Sequence, residues 1–118
     1  MTAKDYMWNL FQPIAEQFPI YVMEMTEDVG SAPQNYILLR PGITDVPALH
    51  GDGTTLFRRY DCDVMAVCSG NYSGSQLDQM EAAIQNILNG AKISFNRYFV
   101  KNGSDSVNAT YTFVYYGD

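Results

Sequence analysis

An α+β fold is what the sequence predicts: a mainly antiparallel sheet of about five strands, with two helices packed on one face. Three observations carry that expectation. Two stretches repeat apolar residues at helical spacing, and each stands alone between groups of strands. The other apolar stretches alternate with period two, as half-buried strands do. Short turn-rich links join several of them, which favours antiparallel pairing. The resulting order is α-β-β-β-α-β-β.

The elements follow in turn. Met7, Leu10, Phe11, Ile14 and Phe18 predict an amphipathic helix over 3–17, with Thr2 and Asp5 placed to cap its start. Pro13 lies inside that pattern; it lacks an N–H and so shortens or kinks the helix near Gln12. A strand over Ile20–Met25 follows, with Ile20, Val22 and Glu24 facing one way and Tyr21, Met23 and Met25 the other. Thr26–Gln34 is polar and reads as loop. Tyr36–Arg40 is a second short strand, stopped by Pro41-Gly42. Pro41–Thr54 then reads as one long loop, and a stretch of that length is usually functional or mobile.

Thr55–Cys68 is the longest strand signal. Leu56, Tyr60, Cys62, Val64, Ala66 and Cys68 share one face with Arg58 as the exception. The other face mixes Phe57, Arg59, Asp61, Asp63, Met65 and Val67, as a partly exposed or partner-covered face does. Ser75–Asn89 is a second helix with the stripe Leu77, Met80, Ile84, Ile87 and Leu88, capped by Ser75 with Asp78 and ended by a left-handed Gly90. Ala91–Val100 and Val107–Tyr116 form a hairpin around Lys101–Ser106, where Asn102-Gly103 is a strong turn pair.

The 118 residues suit a single domain over 1–118, and no repeat or linker divides them. A hydrophobic fraction of 47% against 17% charged is too apolar for a disordered chain. Thirteen acids against seven Lys and Arg give a net charge of −6, which argues against binding phosphate backbones. No apolar run approaches the roughly 20 residues of a membrane span, and no basic-then-apolar leader opens the sequence, so a cytoplasmic origin is expected. Three Asn-X-Ser/Thr triplets, at Asn71, Asn102 and Asn108, read as chance without such a leader.

Chemistry is sparse. Cys62 and Cys68 stand on one strand face, about 20 Å apart if the strand is continuous. A disulfide needs under about 7 Å, so two buried free thiols are expected. His50 is the single histidine, and neither a phosphate-binding loop, a nucleophile elbow nor a metal-ligand spacing is present. Asp61 and Asp63 lie about 7 Å apart on one strand face, a pairing that can do acid–base work or hold a cation. Arg59 on the same face favours a charge ladder instead. No cofactor, no metal and no enzymatic activity are expected. A small α+β ligand-binding domain or enzyme using His50, Asp52, Asp61 and Asp63, and an adaptor that binds partners by strand addition, are the competing readings.

The order and spacing of elements over nearly all 118 residues resemble the tail terminator, or tail completion, proteins of long-tailed bacteriophages. The stretches that carry the resemblance are Phe18-Pro19-Ile20-Tyr21-Val22, Asn35-Tyr36-Ile37-Leu38-Leu39, and the long polar loop leading into Leu56-Phe57-Arg58-Arg59-Tyr60-Asp61-Cys62-Asp63-Val64. The helix from Leu77 to Gly90 and the closing Tyr111-Thr112-Phe113-Val114-Tyr115-Tyr116 complete it. Small tail-tube and other head–tail connector proteins share the pattern. The resemblance implies a ring, generally a hexamer, that caps the tail tube, ends its polymerisation and offers a docking surface to the head completion protein. It implies a virion location, assembly in the host cytoplasm, and genomic DNA that passes through without specific binding. Asp45, His50 and Asp52 in the loop, and Arg58, Arg59, Asp61 and Asp63 on the long strand, are then the candidates for the subunit or tail-tube interface.

Overall fold

The computed structural model describes residues 3–22, 35–42, 46–49, 56–69, 74–102 and 106–117. In chain order these form helix α1 (Ala3–Phe11), a 3-10 turn (Gln12–Ile14), and strands β1 (Ile20–Val22), β2 (Asn35–Arg40), β3 (Val46–Leu49) and β4 (Leu56–Ser69). Helix α2 (Gly74–Gly90) and strands β5 (Asn96–Asn102) and β6 (Ser106–Gly117) follow. The strands make one sheet in the order β1-β2-β4-β6-β5, with β3 also paired to β4. Every pairing is antiparallel except β1 with β2. The fold is α+β, as the sequence predicts.

Helix α1 buries Met7 and Phe11, one turn apart, and its α-helical part ends at Phe11 rather than at residue 17. Pro13 causes the early end: the chain tightens into the 3-10 turn, where the Ala15 N–H donates to the Gln12 carbonyl at 3.0 Å. The expected stripe survives the change, because Ile14 is buried and Phe18 packs against the core.

The parallel β1–β2 pair departs from the expectation of short antiparallel links. Twelve residues, 23–34, separate the two strands, about the length that a parallel crossover requires. The Ile37 N–H also donates to the Pro19 carbonyl at 2.8 Å, which fixes β1 beside β2.

Strand β3 corrects the reading of Pro41–Thr54 as an unbroken loop. Val46–Leu49 pairs with Leu56–Arg59. Pro47 disguises it in the sequence, yet among the described residues β3 pairs with β4 alone, and a proline is tolerated on such an edge strand. Strand β3 continues the line of β2 along β4. Arg40 lies opposite Asp63, Gly42 lies against the Asp61 backbone, and Val46 lies opposite Arg59. From Gly42 to Val46 the chain advances four residues, while β4 advances two between Asp61 and Arg59. Gly42 is required there, because a Cβ would come within 2.2 Å of the Asp61 carbonyl oxygen.

Strand β4 pairs with β2 and β3 on one side and, over twelve residues, with β6 on the other. Its alternation puts Cys62, Val64, Ala66 and Cys68 on the helix-covered face, all fully buried. Both cysteines are free, and burial pushes both thiols up, which makes them poor nucleophiles. Ile37, Leu39, Val107, Ala109, Tyr111 and Phe113 complete the sheet side of the core, and Met7, Phe11, Leu77, Met80, Ile84 and Leu88 the helix side. Each large side chain buried here contributes about 1.5–3 kcal/mol.

Helix α2 continues through Gly90, which is not the left-handed residue. Lys92 is, at φ 58°. The Ile93 N–H donates to the Leu88 carbonyl at 2.9 Å and the Lys92 N–H to the Asn89 carbonyl at 3.0 Å, the paired bonds of a Schellman end. This turn consumes residues that the alternation suggested were strand, so β5 begins at Asn96 rather than at Ala91. Ile93 and Phe95 still pack against the core. At the other end β5 runs on through Lys101 and Asn102, which the sequence reading gave to the turn.

Two stability outcomes follow. Phe113→Asp places an unpaired carboxylate in the core and is expected to cost more than about 3 kcal/mol in chemical denaturation. Gly42→Ala is expected to cost about 1–3 kcal/mol, because the new methyl meets backbone rather than a movable side chain.

Candidate functional site

The two faces of the sheet differ in what covers them. Among the described residues, both helices pack on the face that carries Cys62, Val64 and Tyr111. Among the described residues no helix lies over the opposite face. The strand registers order its side chains into rows. Tyr21, Leu38, Met65, Thr110 and Tyr98 form one row, and Tyr36, Val67, Asn108 and Val100 the next. Arg40, Asp63, Thr112 and Asn96 form a third, followed by Asp61 with Val114 and Arg59 with Tyr116. Tyr98, Val100, Val114 and Tyr116 are all exposed large side chains on this face, with Tyr116 at 58%. Most of the exposed large apolar side chains of the described residues are thus on this one face.

Of the residues singled out in the sequence, Arg59, Asp61 and Asp63 are brought together on this face. They help to line an open groove of about 660 Å³ with Thr112, Val114 and the segment Lys92–Asn96. Arg59 Nε stands 3.3 Å from Asp61 Oδ1, both side chains more than half exposed. Such a pair contributes at most about 1 kcal/mol. Burial raises the Asp63 carboxyl above its ordinary range; the Arg40 charge opposes this and Asp61 adds to it. The arrangement is the charge ladder expected from the sequence: each acid has an arginine beside it. Among the described residues no group of three or more His, Cys, Asp or Glu is placed to hold a metal ion. Arg58 lies in β4 opposite Pro47 and Gly117, on the other phase from Arg59. Asp45, His50 and Asp52 lie outside the described residues, as do Thr2, the turn residue Gly103 and the 26–34 loop.

One polar cluster was not anticipated. Glu81 is a buried acid on the inner face of α2, at 7% exposure. The Arg97 guanidinium holds it bidentately, Nε to Oε1 at 2.5 Å and a terminal nitrogen to Oε2 at 3.1 Å. The Tyr111 hydroxyl donates to Oε1 at 2.6 Å and accepts from Gln85 Nε2 at 2.8 Å. Burial acts to raise the Glu81 carboxyl, but the hydrogen bonds from Arg97 and Tyr111 and the guanidinium charge outweigh it, and the net shift is downward. Two signals in the sequence mark this pair. Glu81 interrupts the apolar stripe of α2, and Arg97 interrupts the apolar face of β5. Opposite charges, each breaking an apolar pattern, are candidates to meet. The cluster is a structural anchor that ties α2 to β5 and β6.

Against known proteins, no family model and no curated relative matches the chain.

The Glu81 cluster sets a pH dependence. A carboxyl held below its unfolded value adds stability that is fully present above that value, 4.5 for Glu, and is lost as pH falls through the folded value. Glu81→Gln is expected to cost about 1.5–3 kcal/mol at neutral pH. The gap between variant and wild type should close on acidification, as read by urea unfolding at a series of pH values.

Proposed function

We propose that the protein is a ring-forming virion assembly protein of the tail terminator type. Copies close into a hexameric ring on the end of the phage tail tube, stop tube polymerisation, and present a docking surface to the head completion protein. The observation that carries this reading is the sheet face away from the helices, where exposed Tyr98, Val100, Val114 and Tyr116 on β5 and β6 lie beside a ladder of charges on β2 and β4. A catalytic site concentrates convergent polar groups in a concave pocket. Here the groups are spread over a sheet face and mutually neutralised, which suits a protein whose work is contact geometry.

The mechanism is assembly without bond making or breaking. Identical subunits joined by heterologous contacts close into a ring when their rotation closes. No cofactor enters this mechanism. The acidic balance, −6 overall, suits a ring whose lumen DNA slides through, since like charge opposes phosphate binding.

Light scattering and negative-stain imaging, with and without purified tail tubes, test the reading. Discrete rings that seat on tube ends and prevent further tube growth are expected. A protein that stays monomeric and ignores tubes overturns it. Tyr116→Asp is expected to leave the melting temperature within experimental scatter, because the ring is solvent-facing, and to weaken tube binding.

A further inference from the structure

Among the described residues, the two outer strands of the sheet path are β1 and β5. Strand β5 reads Asn96-Arg97-Tyr98-Phe99-Val100-Lys101-Asn102, with no proline, glycine or acid. Tyr98 is 56% exposed, Phe99 48% and Val100 44%, so three consecutive large apolar residues on both faces of an outer strand meet solvent. Natural edges of this length are protected by charge, proline or a covering element. This one carries charge only at its flanks.

We propose that β5 of one copy pairs with β1 of the next, so that a single sheet runs from subunit to subunit. Three observations select a second copy, and that edge of it, as the occupant. The first is strand direction. Strand β1 is parallel to β2, β2 and β6 both oppose β4, and β5 opposes β6, so β5 is antiparallel to β1. Simple head-to-tail repetition therefore brings the two edges together in antiparallel sense, with the helices of successive copies on the same side.

The second is shape. Beside β1, an open groove of about 380 Å³ is lined by Trp8, Ile20, Tyr21 and Val22 with Lys4 and Asp5. Phe99 shares the helix-covered phase of the sheet with Arg97 and would enter beside Ile20 and Val22, under Trp8. Tyr98 and Val100 lie on the uncovered phase, as does Tyr21. Apolar groups thus meet apolar groups on both sides of the joint. Phe99 is also positioned before it binds, with the Arg97 guanidinium 5.6 Å above its ring and that guanidinium held by Glu81.

The third is charge. Among the described residues, 92–101 hold Lys92, Arg97 and Lys101 and no acid, with Arg97 already held by Glu81, whereas 3–22, which end in β1, hold Asp5 and Glu16 against Lys4. The segments around the two edges thus differ in the sign of their net charge, which favours the meeting of unlike edges. Strand addition by backbone hydrogen bonds supplies the contact.

The inference deepens the ring reading and names the joint between subunits. Cysteine trapping in the full chain tests it. Tyr21→Cys protein is mixed with Tyr98→Cys or with Val100→Cys protein under mild oxidation, the two β5 positions bracketing the register. Facing residues of an antiparallel pair come within disulfide range, and the native Cys62 and Cys68 are buried. Covalent dimers are expected in at least one mixture, in excess of each variant alone, and fewer as salt rises. Equal or greater linkage of the β5 variants with themselves means symmetric β5–β5 pairing and overturns the proposal, as does no linkage at all. Phe99→Glu is expected to abolish association in light scattering with the circular-dichroism melting curve unchanged; undiminished association also overturns it. Rings that bind tubes without these cross-links remove the joint and leave the terminator reading standing. Cross-links in a protein that ignores tubes do the reverse.

Discussion

A carboxylate withdrawn from water must find partners at once, and Glu81 finds them on two different elements. Tyr111 comes from β6 and Arg97 from β5, directly opposite each other in the β5–β6 ladder. The cluster therefore fixes the rotation of α2 over the sheet and the register of the outer strand together. A slip of one residue in β5 would turn Arg97 to the uncovered face and strand the Glu81 charge. Apolar packing alone is tolerant of such slips. The ion pair, with its carboxylate buried and its guanidinium partly exposed, supplies the specificity that Leu77, Ile84 and Leu88 cannot.

From that anchor the asymmetry of the molecule follows. One face of the sheet is filled by α1 and α2, whose apolar stripes are consumed there. Among the described residues no helix is left for the other face, which carries paired charges and aromatic side chains. Among the described residues β1 and β5 are the outer strands of the sheet path, and the segments around them differ in net charge. A chain with this distribution has directions in which it can grow and a face it can offer, without needing a pocket.

The sequence made the periodic parts legible. The stripes of α1 and α2 and the alternation of β4 and β6 assign their buried faces correctly, because burial on one side imprints a period on the residues. The misreadings cluster where a local signal meets a tertiary one. Pro47 suggests loop, yet the long β4 beside it offers a partner that an edge-strand proline tolerates. Gly90 suggests a helix end, yet the helix runs on to a left-handed Lys92, whose strain the paired hydrogen bonds of the turn offset. The parallel β1–β2 pair leaves no periodic trace, since pairing direction depends on the connection rather than on the strands. Arg59, Asp61 and Asp63 stand out as a charged face, whereas Glu81 gives a weaker signal, because a helix stripe with one acid still looks amphipathic.

The placement of β4 has a kinetic consequence. Between the end of β4 and the start of its long partner β6 lie 36 residues, which include α2 and β5. At about 5–20 residues per second, synthesis leaves that side of β4 without its partner for a few seconds. Strands β2 and β3 come before β4 in the chain and can pair with it locally, so one side of β4 closes early. The other side presents an open strand edge around Val64 and Val67 to the crowded environment of the ribosome. The same strand that organises the finished sheet is, during synthesis, the segment most in need of shelter.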